Sequence, residues 1–401
     1  MNILIVSQYY YPEQFQINEI APELVRRGHS VTVLCGIPNY PKGEIFPGYD
    51  DASKLEETIS GVRVIRVRQK PRGYNPFSLL LNYWTFVRKA NKRIESLDGE
   101  YDVILGYQLS PVTSMLPAVK YAKWKHKPLL LYVLDIWPVS GQAHLPVKNG
   151  LIYKWLAKVS RNIYNSASRI IVTSKPFIGY LNTVDRVPET NIAYLPQHAD
   201  TTMLDMDLEK EDTDTTHFMF AGNLGAGATL EVVINAAALL DKKLNYQVHF
   251  VGDGSQRSKL ESLAAENGLI DRIIFHGNKS RSEMPDFYRM ADALLITLRG
   301  NNEVGNTMPG KLQMYMTTGK PILGAINGAA REVIAESKSG KCVGAGDVQG
   351  LADIMHDFIT NRADYNSCGE NARRYFKENF TLEKFISVLE TELFNLCKDE
   401  V

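Results

Sequence analysis

Short apolar runs alternate with longer stretches of helical periodicity along almost the whole chain. Asn2–Ser7 is the first continuous apolar run, and 16–27 repeats its apolar positions at helical spacing before stopping at Gly28. A glycine just past a helix accepts the left-handed conformation of a C-cap. Ser30–Cys35, Val62–Val67 and Val103–Gly106 read as further strands, with a long helical stretch at 76–96. Helix 111–124 leads to the run Pro128–Val133, and helix 150–166 leads to Arg169–Thr173. Apolar strands alternating with amphipathic helices predict an α/β domain with a doubly wound parallel sheet.

The alternation breaks at 200–216, an acidic, threonine-rich stretch that reads as a linker. It then restarts with strand His217–Ala221, helix 228–240, strand Gln247–Val251, helix 255–267, strand Arg272–His276, helix 282–290 and strand Ala293–Thr297. Two series of similar length predict two similar domains, 1–200 and 201–380, facing each other across a cleft. Ligands of parallel sheets bind beyond the C-terminal ends of the strands, so residues just after strands are the site candidates.

Composition adds a constraint on partners. The chain has 401 residues, 22% charged and 44% hydrophobic, enough apolar material for two cores. Net charge is zero, yet the first 200 residues hold 24 basic and 16 acidic side chains and the remainder 21 and 29. Residues 61–161 alone hold 17 basic against 5 acidic. Such asymmetry points to an anionic partner, a membrane or a nucleic acid. Four well-separated cysteines without a CxxC fit a reducing compartment and speak against a metal cluster. The start MNILIVSQYYY enters directly as a strand, and no run of 18 apolar residues occurs, so the cytoplasm is the expected location.

Several residues carry chemistry. In Arg299–Leu323, Pro309 and Gly310 fit the first turn of a helix, whose free N–H groups favour an anion, and Lys311 adds a full charge. Gly222-Asn223-Leu224-Gly225 follows the first strand of the second series; its backbone can approach a diphosphate closely or simply form a tight strand–helix turn. Gly252-Asp253-Gly254 reads first as a structural turn, and His276 as a packed strand-end histidine followed by Gly277. Asp135 ends an apolar strand, where a carboxylate is costly unless paired, capping or functional, with His144 and His198 as alternatives. Glu13 lies in the loop after strand one, either solvated or bound to a substrate.

The segments YYYPEQF, RRGHSVTVLC, VLDIWPVS, YLPQHAD, FMFAGNLG, FVGDGSQRSKL and IIFHG, followed by P-x-K and GKPIL, resemble in order those of GT-B glycosyltransferases. The closest flavour is the retaining family 4, of the bacterial O-antigen and capsule type that includes N-acetyl-L-fucosaminyl transferases. The resemblance implies two Rossmann-like domains, with the final helix 381–397 crossing back onto the first. It also implies retention at the anomeric carbon, no metal and no cofactor beyond the UDP-sugar donor. It places the donor against Gly222, Asn223, Gly225, Gly252, His276, Gly277, Arg299, Asn306, Thr307, Met308, Lys311 and Gln313. The family's glutamate pair, eight residues apart, falls here on Gly305 and Gln313, leaving Glu303 as the nearest acid. The basic residue many relatives carry after the glycine turn is replaced by Ala226-Gly227-Ala228, which leaves Lys311 as the main cation. Asp135 and Glu13 fall on the acceptor side.

The resemblance implies transfer of an N-acetylated (deoxy)hexosamine, such as N-acetyl-L-fucosamine, from a UDP-sugar to an undecaprenyl-diphosphate-linked saccharide in surface polysaccharide assembly. The alternatives are a nucleotide-sugar 2-epimerase and a non-catalytic nucleotide- or glycan-binding protein. Within 76–96, Leu79, Leu80, Tyr83, Trp84, Val87 and Ala90 share helical spacing, and Arg88, Lys89, Lys92 and Arg93 gather toward the end, a pattern that fits either a lipid surface or a core helix with a solvated end. With YAKWKHKP at 121–128 it predicts a peripheral protein at the inner face of the bacterial cell membrane. No nucleic-acid module is recognisable.

Overall fold

The computed structural model describes residues 1–51, 53–73, 75–140, 150–210, 213–300 and 308–398. Two compact units divide the chain, one holding Met1–Gln197 with the chain from Leu382 onward, the other His198–Thr381. The first unit therefore ends three residues before the expected boundary.

The first unit has strands β1 (Asn2–Val6), β2 (Ser30–Gly36), β3 (Glu56–Ile59), β4 (Val62–Val67), β5 (Val103–Gln108), β6 (Leu129–Val133), β7 (Arg169–Val172) and β8 (Ile192–Tyr194). They form one sheet in the order β3-β4-β2-β1-β5-β6-β7-β8. Helices α1 (Ile17–Arg26), α2 (Pro76–Ile94), α3 (Leu116–Lys125), α4 (Leu151–Tyr164) and α5 (Pro176–Thr183) connect them. Two-residue alternation assigns β1 to both cores: Leu4 and Val6 join Phe86, Ala118 and Leu156 on one face, and Ile3 and Ile5 join Ile20 and Leu24 on the other. The C-terminal helix Leu382–Lys398 (α13) lies on that second face, burying Phe385, Ile386, Leu389 and Leu393. Arg27 pairs with Glu390 at 2.6 Å and Arg169 with Glu392 at 2.7 Å.

The sheet departs from the parallel expectation at one edge. β3 runs antiparallel to β4 through Ser60 and Gly61, both at positive φ, a two-residue hairpin. Its sequence, EETI, lacks the apolar run by which the other strands are read, and its charges suit an exposed edge. The stretch 111–124 also divides, into a 3₁₀ turn Val112–Met115 and then α3.

The second unit holds β9 (Thr216–Ala221), β10 (Tyr246–Val251), β11 (Ile273–Gly277), β12 (Ala293–Thr297), β13 (Ile322–Ala325) and β14 (Gly340–Val343), all parallel, in the order β11-β10-β9-β12-β13-β14. Helices α6 (Glu231–Leu239), α7 (Arg257–Glu266), α8 (Met284–Met290), α9 (Gly310–Thr318), α10 (Ala329–Ser337), α11 (Val348–Thr360) and α12 (Cys368–Asn379) cover it. The expected linker is corrected: Met203 and Leu208 are buried in this unit's core, and Lys210 pairs with Asp292 at 2.9 Å. A composition of acids and threonines hid two apolar anchors. Where the chain enters and leaves the unit, Ala199 N–H donates to the Phe380 carbonyl at 2.9 Å.

Candidate functional site

In each unit the strand order reverses beside the first strand of the series, between β1 and β5 and between β9 and β12. A crevice opens at the C-terminal ends of strands where order reverses. In the second unit the turn 222–228 occupies that place. Gly222 adopts φ +143, and its N–H donates to the Val251 carbonyl at 2.8 Å. Gly225 caps the 3₁₀ turn Ala226–Ala228. Among the described residues no acceptor takes the N–H groups of Asn223 or Gly225. Arg299 braces the turn: its N–H donates to the Gly227 carbonyl at 2.9 Å and its guanidinium to that of Ala226 at 3.4 Å.

Lys311, in the first turn of α9, lies against this turn. Its Nζ is 3.0 Å from the place a Cβ would occupy at Gly222, so the glycine is what admits the ammonium. The same Nζ lies 3.5 Å from the centroid of the Phe220 ring. No carboxylate pairs with it among the described residues. Burial alone lowers its pKa from 10.5 to about 7. A cation held out of water without a counter-ion is stabilised by an arriving anion, and the free amides of the turn add to that field.

The other candidates take different places. Gly252, at φ +133, donates its N–H to the Gly277 carbonyl at 2.9 Å, and a Cβ there would stand 2.0 Å from the Gly222 carbonyl oxygen. Gly252 thus locks the turns after β9, β10 and β11 together, which is a structural task. His276 lies in a packed row: it bonds His249 at 3.0 Å, His249 bonds His217 at 2.8 Å, and Phe287 meets the His276 ring edge-on. Its imidazole is committed, so only its backbone and that of Gly277 are left for a ligand. Gln313 is 3% exposed, on the inner side of α9, and Met308 packs partly buried against the core. Glu303, Asn306 and Thr307, with Gly305, lie outside the described residues, as does His144.

In the first unit Glu13 is neither solvated nor open to a substrate. It is 1% exposed, and its carboxylate accepts the N–H of Tyr10 at 3.2 Å and those of Asn39 and Tyr40 at 2.8 Å each. It clips the loop after β1 to the loop after β2. Burial pushes its pKa up to about 7, while the three amides and Arg66 hold it down. Asp135 follows β6, is partly exposed, and accepts a hydrogen bond from Ser110 Oγ at 2.6 Å. Ser110 Oγ in turn accepts from Trp137 Nε1 at 3.0 Å. No described helix begins at Asp135, which removes capping as its task. His198 is buried and its pKa is driven down to about 4 by burial alone, so it is neutral at ordinary pH.

Sequence reasoning missed the surroundings of Asp135. Tyr9, Phe15 and Tyr40 form an aromatic cluster, Tyr9 stacked on Phe15 at 5.4 Å and Tyr40 5.3 Å from Phe15. The Arg72 guanidinium lies 5.3 Å from the Tyr40 centroid. Tyr83 feels the charges of both Arg72 and Asp135. The signal available was the tyrosine run after β1 and an arginine flanked by Pro71 and Gly73.

Two Rossmann-like α/β units with sites at their switch points define the GT-B class of architecture. Residues 15–202 match the family model Glycosyltransferase Family 4, and residues 205–375 match Glycosyl transferases group 1. The chain is a glycosyltransferase with the GT-B fold of family 4/group 1. It is similar to the O-antigen chain mannosyltransferase C of Escherichia coli, 21% identical over 405 residues and covering 96% of both chains. It also resembles the N-acetyl-alpha-D-glucosaminyl L-malate synthase of Bacillus anthracis, 26% identical over 42% of each chain. Among solved structures, Anabaena Alr3699/HepE in complex with UDP superposes with a TM-score of 0.69 at 15% identity, covering 98% of this chain and 100% of that one. Sucrose-phosphate synthase of Thermosynechococcus elongatus gives 0.73 at 17%, covering both chains fully.

Proposed function

We propose that the chain transfers a sugar from a UDP-linked donor to a lipid-linked saccharide, with retention at the anomeric carbon, in O-antigen or related polysaccharide assembly. The observation that carries the donor side is Lys311, whose ammonium lies against the glycine turn 222–225 and has no carboxylate partner among the described residues. It would neutralise the departing diphosphate together with the Asn223 and Gly225 amides, the charge stabilisation that dominates such chemistry. UDP in the Anabaena neighbour supports the nucleotide, and the O-antigen relative supports the pathway. An N-acetylated (deoxy)hexosamine such as N-acetyl-L-fucosamine is the donor sugar we favour, from the sequence resemblance. Asp135 is the acceptor-side carboxylate, and Glu13 acts through the loops it holds. No metal has a part in this reading.

The acceptor's lipid would be met at the membrane. Phe77, Leu80 and Trp84 of α2 and Leu151, Ile152 and Trp155 of α4 are exposed. Both helices run from the C-terminal ends of the strands and pack on the 3₁₀ turn Val112–Met115, so the two apolar groups lie at the acceptor end of the sheet. Arg88 lies over Trp84. Trp124 lies near the C-terminus of α3, just before β6 begins, and Arg93 is engaged by Glu56, so neither belongs with this patch. No described helix is long and apolar enough to cross a membrane. Peripheral attachment at the cytoplasmic leaflet is the reading this supports.

Incubation of the purified protein with a panel of UDP-sugars, with and without a polyprenyl-diphosphate saccharide, tests the proposal. Transfer only when the lipid is present is expected. Epimerised donor without acceptor, or binding without turnover, would replace it.

A further inference from the structure

Three histidines stand in a diagonal row across the second unit's sheet, one each on β9, β10 and β11. His249 lies opposite Met219, two residues past His217, and opposite Ile274, two residues before His276. Two-residue steps put all three rings on one face. The rings stack, with centroids 5.1 and 5.2 Å apart, and are hydrogen-bonded in series. His217 Nδ1 meets His249 Nε2 at 2.8 Å, and His249 Nδ1 meets His276 Nε2 at 3.0 Å. His249 is buried, and the two end rings are half-buried. The β10–β11 register slips between Phe250 and Val251, so Phe275 and Gly277 have Cα partners and His276 has none. Such a bulge interrupts the ladder, and here the bond to His249 ties the extra residue's side chain to β10. The charged groups that reach the row are Lys210, Asp292 and Arg362 at the His217 end and Lys279 at the His276 end, while α8 brings the Phe287 ring. Asp292 is already shared among Lys210, Arg362 and the His217 N–H. Burial first, then the neighbouring cations, lowers all three imidazole pKa values, that of His249 to about 3.

The proton count of the row decides what it tolerates. A neutral imidazole has one N–H and one acceptor nitrogen, and each of the two contacts takes one proton. When all three rings are neutral they must therefore share one tautomer, all Nδ1–H or all Nε2–H. One added proton fills both end nitrogens, His217 Nε2 and His276 Nδ1, and keeps both bonds. A second sets two N–H groups against each other within a contact, and that bond is lost. We propose that His217, His249 and His276 form an acid-operated latch of the second unit, which holds the end of β11 to β10 until the second added proton and then lets it go. The consequence for donor binding rests on the glycosyltransferase reading. Gly277, next after His276, accepts the Gly252 N–H at 2.9 Å, and Gly252 packs on the Gly222 carbonyl of the donor turn, so release loosens that turn. A freed ring with the ordinary value of 6.5 is protonated roughly thirtyfold over its neutral form at pH 5, and each ring favours opening by up to that factor. Because the folded values are lowered, the latch contributes fully above pH 6.5 and is lost as pH falls below it.

Two measurements on the full-length protein test the latch. Nitrogen NMR of the histidine rings at pH 7.5 should find His217, His249 and His276 in one tautomer, or exchanging between the two together. Opposite fixed tautomers at the two ends overturn the proposal without any variant. Calorimetric titration with UDP-glucose should then show wild type losing at least tenfold in affinity from pH 6 to pH 5, a range in which Lys311 is already charged. His249→Gln has an amide that donates to one neighbour and accepts from the other, yet takes up no proton. It should match wild type at pH 7 and bind at least fivefold more tightly at pH 5. His217→Gln, at a half-buried end of the row, should protect in the same way and serves if the buried variant does not fold. Constant wild-type affinity from pH 6 to pH 5, or the same loss in wild type and a folded variant, overturns the proposal. Failure of wild type to bind UDP-glucose at pH 7 would instead remove the donor reading, and the tautomers would still decide the row.

Discussion

Lys311 gives donor binding a pH dependence that follows from its surroundings. Its ammonium lies over the Phe220 ring against Gly222, and burial alone brings its pKa to about 7. In the unfolded chain the group would titrate near 10.5, so between those values the unfolded state binds more protons and stability rises with pH. Binding of a diphosphate reverses the local balance, because the anion stabilises the charged lysine. Between pH 6 and 8 a nucleotide sugar keeps its charge, its diphosphate ionised and its uracil N–H protonated, so affinity follows the protonated share of Lys311. That share falls from roughly nine-tenths at pH 6 to roughly one-tenth at pH 8, which weakens binding about tenfold, or ~1.4 kcal/mol. Titration of UDP-glucose at pH 6, 7 and 8 in constant salt measures this directly. Lys311→Met keeps the apolar burial and removes the charge. It should bind weakly at pH 6, show a flat profile, and melt no lower than wild type. A flat wild-type profile, or a Lys311→Met profile of the same slope, would refute the reasoning.

Asp135→Asn, which can still accept from Ser110, should lower kcat at least tenfold with little change in melting temperature; near-normal turnover would make the carboxylate dispensable. Glu13→Gln places a donor against the Tyr10 amide and should destabilise the protein by about 1–3 kcal/mol in denaturant melts. The folded pKa of Glu13 is raised, so its contribution is full below about 4.5 and lost as pH rises through about 7; the gap between wild type and Glu13→Gln should therefore narrow from pH 5 to pH 8. Gly252→Ala should destabilise by at least ~2 kcal/mol and weaken UDP binding together, because the Gly222 turn must move. Replacing Trp84, Ile152 and Trp155 by Ser should abolish sedimentation with anionic vesicles while UDP affinity is kept; unaltered sedimentation would place the lipid contact elsewhere.

The fold was legible wherever burial forces an apolar run. β1, β5, β6 and β12 are buried along nearly their whole length and read without ambiguity. β3 and β8 were not legible, since an edge strand needs few apolar residues, and the stretch before β9 hid Met203 and Leu208 among acids. On the donor side a glycine turn and a lysine near a helix start are local patterns, and both proved adjacent. Glu13 shows the opposite case. Its partners are amides 26 and 27 residues away, a long-range contact for which a single sequence holds no signal.

The switch point of the second unit holds one physical device. The Lys311 ammonium is held against Gly222 and the Phe220 ring, with no carboxylate partner among the described residues. Elsewhere the same chain pairs its buried charges readily, as at Arg66 with Glu57 and at Asp292 with Lys210 and Arg362. A buried cation without a partner costs stability, and folding alone gives no reason to keep one. Anionic substrates do give one. A nucleotide diphosphate brings the missing charge, so the desolvation already spent on the site is regained on binding rather than charged against it. On this view the overall neutrality of the sequence conceals a local excess of positive charge, placed where the strand order of the second unit turns and left for substrate to balance.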